Sequence, residues 1–231
     1  MIILTAGHTG PNTGAQCAET HFDEGAENIW LRNRIAEILT NKYGLVVLVD
    51  DDRASLKLLT KELNQTGRQD DKKNHVLMSS CQKTVDCRPL TSCDKRVQRS
   101  SLLLPSEARN LSEAINVDFL IDIHFNAHSN PNARGTEAIV ADDATTLELR
   151  FASRLVHTTS DALDIPLRCI KSESQTPHRR LGMLHLTPQS IILEVCFCTS
   201  PEDVEAYRKN REKLAAELAW AIAELILDRK T

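Results

Sequence analysis

The chain has 231 residues, 41% of them hydrophobic, which suits one globular domain with a substantial core. Aromatic residues make up 4% and the net charge is −4, which argues against base-stacking platforms and the basic footprint of a nucleic-acid binder. No apolar stretch approaches the ~18 residues that span a bilayer, so stable membrane insertion is not expected.

The chain opens with an apolar run, Ile2-Ile3-Leu4, that leads into Ala6-Gly7-His8. This opening is too short for the apolar region of a signal peptide, so synthesis in the cytoplasm without one is expected. Residues 24–40 carry apolar side chains at Ile29, Leu31, Ile35, Ile38 and Leu39, the spacing of a helix. Residues 45–49 form a β-rich run that ends in Asp50, Asp51 and Asp52.

Residues 64–104 break the pattern. They are polar and charged, carry Cys81, Cys87 and Cys93, and read as an irregular insertion. No CxxC pair or fourth ligand at zinc-finger spacing accompanies these cysteines, so the seven cysteines of the chain are expected to be free thiols.

Residues 106–115 form a short helix that leads into Phe119-Leu120-Ile121-Asp122-Ile123 and then His124. Ala138-Ile139-Val140 is a short strand, and residues 146–163 repeat apolar positions at helical spacing. A polar loop over residues 174–181 precedes Ile191-Ile192-Leu193, which leads into Glu194. Cys196 and Cys198 follow beside Phe197 and are expected to fill small core spaces. Ser200-Pro201-Glu202-Asp203 then opens a long helix over residues 201–228. Alternating strands and helices predict a single α/β domain: a mainly parallel twisted sheet flanked by helices, plus the irregular insertion.

In such folds ligand sites gather beyond the carboxyl ends of the strands. His8, His124 and Glu194 stand at three such ends, which makes them candidates for shared chemistry. Two imidazoles suit a catalytic metal with about three protein ligands and an open position, and a separate carboxylate suits a general base. The third ligand stays open on spacing alone: Glu19, His21, Asp23, Glu24 and Glu27 all lie before or within the first helix. There an acidic residue equally serves to offset the helix dipole. Asp122 shares a strand face with His124 and is either its orienting carboxylate or a solvated strand residue. His178 and Arg179 either line a substrate groove, where Arg suits carboxylates, or sit in an exposed loop.

These residues resemble the zinc-dependent N-acetylmuramoyl-L-alanine amidases of the amidase-3 type. Ala6-Gly7-His8 and Gly14-Ala15 match that family's opening turn, and Glu24, Asn28 and Ile29 match the start of its first helix. His124-Phe125-Asn126-Ala127, Gly135-Thr136-Glu137 and Ile192-Leu193-Glu194-Val195-Cys196-Phe197 match its later motifs. The resemblance covers roughly residues 1–50 and 105–228. It implies one zinc ion per chain held by His8, Glu24 and His124, with Glu194 as the catalytic carboxylate, and it alone selects Glu24 among the acidic candidates. It also implies peptidoglycan as partner; Asn126 joins His178 and Arg179 as a substrate-contacting candidate, and without a signal peptide the expected action on the wall follows holin-type release or non-standard export. Two departures stand out: Asp122 replaces the family's frequent Ser, and residues 64–104 replace or enlarge the usual connection. The competing readings are a zinc peptidase or deacylase acting on another amide, and a non-catalytic wall-binding domain of the same fold. The oligomeric state is not legible in the sequence.

Overall fold

A computed structural model describes residues 1–8, 14–17, 19–50, 117–130 and 132–228. The expected insertion over residues 64–104, its three cysteines and the helix over residues 106–115 lie outside the described residues.

Six strands make one sheet: β1 (Ile2–Ala6), β4 (Val47–Val49), β5 (Phe119–Asn126), β6 (Thr136–Val140), β7 (Leu167–Ser172) and β8 (Ser190–Phe197). Their spatial order is β4-β1-β5-β8-β6-β7. Every neighbouring pair is parallel except β6 and β8, which run antiparallel with Glu137 opposite Glu194. A small antiparallel arm, β2 (Gln16–Cys17) and β3 (Phe22–Asp23), precedes helix α1 (Glu24–Tyr43). Helices α2 (Thr146–Leu163) and α3 (Pro201–Leu227) complete the described elements. The mainly parallel α/β fold is as expected. Two strands are longer than anticipated, so His124 and Glu194 fall inside β5 and β8 rather than just beyond them. Strand β7 was not anticipated at all: it is an edge strand whose first three residues are exposed, and it lacks apolar alternation.

Side-chain alternation along the strands decides which face does what. Phe119, Ile121, Ile123 and Phe125 of β5, with Ile191, Leu193 and Val195 of β8, join one core with buried residues of all three helices. Phe151 of α2 stacks on Phe119 at 3.6 Å, and Tyr207 of α3 meets Phe22 and Phe125 edge-on. The other face carries Ile3, Leu120, Ile139 and Ile192, covered by Met183, Leu184 and Leu186 from a 3₁₀ turn at Gly182–His185. The polar members of that second face, Asp122, His124, Glu137 and Glu194, thus point away from the helices.

The helix starts are set by local chemistry. Asp23 caps α1 by accepting from the Ala26 amide, and Thr145 and Glu148 form a reciprocal capping box on α2. Ser200 caps α3. The buried Asp203, in the first turn of α3, accepts hydrogen bonds from the Gly135 amide (2.7 Å), the Phe197 amide (3.1 Å) and Arg134 Nε (3.1 Å). One carboxylate so fastens the start of β6 to the end of β8.

Cys17, Cys196 and Cys198 are buried and Cys169 is exposed, all as thiols. Burial pushes the thiols of Cys196 and Cys198 far above their ordinary range, which leaves them inert. Among these four, Cys169 should react with iodoacetamide at pH 8 while Cys196 and Cys198 stay protected, as read by peptide mass mapping of folded protein. Equal labelling of Cys196 and Cys169 would contradict the packing. Phe151→Ala should cost about 3–5 kcal/mol in urea unfolding.

Candidate metal and active site

The site assembles where β1, β5, β8 and the start of α1 meet. The Gly7 amide donates to the Ile123 carbonyl (2.8 Å), which keeps the turn after β1 against β5 and delivers His8 to the cleft. Gly7 has no side chain for a reason: a Cβ there would lie 1.9 Å from Nε2 of His124, whose ring occupies that space. Gly14 adopts a positive φ of 75°, and a Cβ on it would sit 2.5 Å from Glu24 Oε2 and 2.7 Å from the His8 ring.

Glu24 is the first residue of α1 and is only 2% exposed. Its Oε2 accepts from the Ala15 amide (2.7 Å) and its Oε1 from the Phe125 amide (3.1 Å). That same Oε1 lies 3.5 Å from His124 Nδ1 and 3.8 Å from His8 Nε2. Burial alone raises the Glu24 pKa, but the contact with His124 and the two amide donors outweigh it and bring the carboxyl below its ordinary value. The other acidic candidates have different work or none here. Glu27 accepts from Tyr207 Oη and Arg211, Asp23 caps the helix, and Glu19 and His21 are exposed.

Asp122 is buried beneath His124. Its Oδ1 accepts from Thr5 Oγ1 (2.7 Å), and its Oδ2 lies 3.1 Å from His124 Nε2. A proton on Nε2 directed at Asp122 leaves Nδ1 facing Glu24 and His8. Burial opposes charge on His124, yet Asp122, Glu24 and Glu194 together raise its pKa well above the ordinary value.

Glu194 stands on the neighbouring strand, in register with His124. Its Oε2 is shielded from solvent and has no hydrogen-bond partner among the described residues. Burial, reinforced by the carboxylates of Glu24 and Glu137, pushes its pKa up to about 7, against the pull of His124 and Lys171. A carboxyl poised there both accepts and returns a proton near neutral pH.

These groups line a cleft of about 800 Å³. Asn126 and His178 are in its wall, whereas Arg179 is exposed and outside it. Asn126 is already committed: its amide donates to Glu137 Oε1 (2.6 Å) and its carbonyl accepts from the Ala127 amide (2.9 Å). The wall also holds Lys171 of β7, which sequence reasoning missed because no alternation marked that strand.

His8, Glu24 and His124 each offer one ligand atom, and these atoms lie within 4.8 Å of one another. The shorter separations approach the ~3.4 Å edge of a tetrahedron with bonds of about 2.05 Å. Two imidazoles and a carboxylate, with a bare glycine beneath one ring, fit a divalent metal.

The sequence matches the N-acetylmuramoyl-L-alanine amidase family over residues 2–228. The chain belongs to that family. It is accordingly an enzyme that cuts peptidoglycan at the amide between N-acetylmuramic acid and L-alanine. Solved structures agree with the fold. A putative N-acetylmuramoyl-L-alanine amidase from Neisseria meningitidis superposes with a TM-score of 0.63 at 20% identity, over 97% of this chain and 94% of that one. An amidase from Clostridium difficile gives 0.59 at 18% identity, over 98% and 94%. The catalytic domain of an endolysin targeting Clostridia difficile gives 0.57 at 20% identity, over 98% and 96%. No curated protein matches the sequence. Among the described residues, no helix is long and apolar enough to cross a membrane.

Gly7→Ala should leave the amidase folded but push the His124 ring out of place. Affinity for a divalent metal should fall roughly tenfold or more, read by competition with a chromophoric chelator. Unchanged affinity would mean that the ring has room to spare.

Proposed function

We propose that the chain is a zinc-dependent amidase, one catalytic domain with residues 64–104 as an insertion, that holds one zinc ion through His8, Glu24 and His124. The reading is carried by one observation: two imidazoles converge on a single buried carboxylate oxygen beside Glu194, whose Oε2 has no hydrogen-bond partner among the described residues. Zinc supplies Lewis-acid chemistry, acidifying water and polarising a carbonyl.

The chain's own groups do the rest. Asp122 and Thr5 orient His124, so that Nδ1 faces inward. The Ala15 and Phe125 amides hold Glu24 in its ionised form. Glu194 takes a proton from the attacking water as its oxygen bonds to the lactyl carbonyl carbon. It then returns that proton to the alanine nitrogen as the C–N bond breaks. The products are a lactyl carboxylate and a free L-alanine amine. His178 and Asn126, in the cleft wall, contact the glycan strand and stem peptide. That substrate lies outside the cytoplasmic membrane, where the enzyme acts.

Digestion of purified peptidoglycan, followed by mass analysis, tests the reading. Zinc-loaded protein should expose L-alanine amino ends, excess EDTA should abolish this, and added zinc should restore it. Undiminished activity in EDTA would remove the metal from the account, and new ends other than L-alanine would point to another amide. Glu194→Gln should keep about one zinc per chain and lose roughly 10²–10⁴ in kcat. Asp122→Ala should weaken zinc about 10–100-fold, measured by chelator competition.

A further inference from the structure

The cleft is acidic. Glu24, Asp50, Asp122, Glu137 and Glu194 all contribute to its wall. Against them Lys171 is the one Lys or Arg in that wall among the described residues. Its ammonium pairs with Oε1 of Glu137, a carboxylate with no exposed surface. Glu137 is shared further. Oε1 accepts from Asn126, and Oε2 accepts from Arg168 Nε (2.8 Å). One carboxylate therefore meets two cations, Lys171 and Arg168. Arg168 is engaged elsewhere as well: its guanidinium lies 4.9 Å from the centre of the Phe197 ring and donates to the Arg134 carbonyl (3.2 Å). Lys171 is different, since Glu137 is the partner it has among the described residues and its side chain remains 27% exposed. An ammonium carries three donors, so it has capacity for a second anion.

Its position relative to the chemistry follows from the sheet. Glu137 is the direct register partner of Glu194. The ammonium thus sits on a carboxylate whose strand, β6, neighbours that of Glu194, and neighbouring strands lie ~4.8 Å apart. Glu194 delivers its proton to the amine of the departing stem peptide, so the peptide lies on that side of the scissile bond. An extended peptide advances ~3.3 Å per residue, which brings the side of its second residue to about that distance. In peptidoglycan the second residue is a γ-linked D-glutamate, whose α-carboxyl is either free or amidated.

Resting on the amidase reading above, we infer that Lys171, seated on Glu137, is a specificity-determining group that binds the free α-carboxylate of the second stem residue. The enzyme so prefers stems carrying the acid over stems carrying the amide.

The test uses the zinc-loaded full chain and two synthetic muramyl tripeptides that differ only in that group, D-isoglutamate or D-isoglutamine. Wild type should cleave the acid with a kcat/KM roughly tenfold higher, chiefly through KM. Lys171→Met should erase the preference, losing roughly tenfold more kcat/KM on the acid than on the amide. Lys171→Arg, which keeps the charge, should restore much of it. Thermal melting and zinc content confirm that each variant is folded and loaded. Equal wild-type rates on the two substrates would overturn the inference, a result that stands even where a variant fails to fold. So would an equal loss on both in Lys171→Met, the signature of a group that merely compensates Glu137. Failure of the wild type to cleave either substrate would overturn the amidase reading itself, and the inference with it.

Discussion

The site hangs on a carboxylate that has been taken out of water. Removing Glu24 from solvent is costly unless its lone pairs are met, and here two backbone amides donate to it and the rings of His8 and His124 lie against Oε1. The two amides come from different pieces of chain, Ala15 beside the β2–β3 arm and Phe125 from β5, and His124 faces Glu24 from the same strand as Phe125. Displacing Glu24 would strand both amides, so the arm, the helix start and the strand hold one another in place. The bare Gly7 and Gly14 belong to the same arrangement, because a methyl group would collide with the His124 ring at the first and with Glu24 and the His8 ring at the second.

Around this point the fold divides its labour by strand alternation. All three described helices take the odd-numbered side chains of β5 into one core, and the even-numbered ones are released for chemistry. A second buried pair supports the turn that carries His8. Arg32 of α1 donates to Asp50 Oδ1 (2.5 Å), and Asp50 accepts from the Ala6 amide (3.1 Å), tying the end of β4 to the end of β1. Asp203 does the equivalent work on the other flank.

Much of this was legible in the sequence. The apolar runs before His8, His124 and Glu194 announced strands, and the two-residue spacing of Asp122 and His124 announced a shared face. What the runs did not disclose was their length: apolar character stops at Ile123 and Leu193, whereas backbone pairing continues to Asn126 and Phe197. Glu24 was beyond the reach of spacing because Asp23, Glu24 and Glu27 are equally good helix-start residues. Only the fold separates them, giving one to the cap, one to the histidines and one to Tyr207 and Arg211. Arg179 looked suited to a carboxylate, yet the loop turns it outward at a φ of 58° while His178 stays in the wall. Lys171 left no trace, since the first half of its edge strand is exposed and carries no apolar alternation.

The spatial order of the strands places the reactive groups in a row running across the sheet. His8 follows β1, Asp122 and His124 are on β5, Glu194 is on β8, Glu137 on β6 and Lys171 on β7. Successive strands in a sheet are held ~4.8 Å apart by their hydrogen bonds, whatever side chains they carry. The row is therefore a ruler whose graduations belong to the backbone. A polymer laid across it is measured in whole strands, and substitutions can change what is read at each mark but not the distance between marks. Loops at the strand ends remain free to vary in length and composition without disturbing that scale.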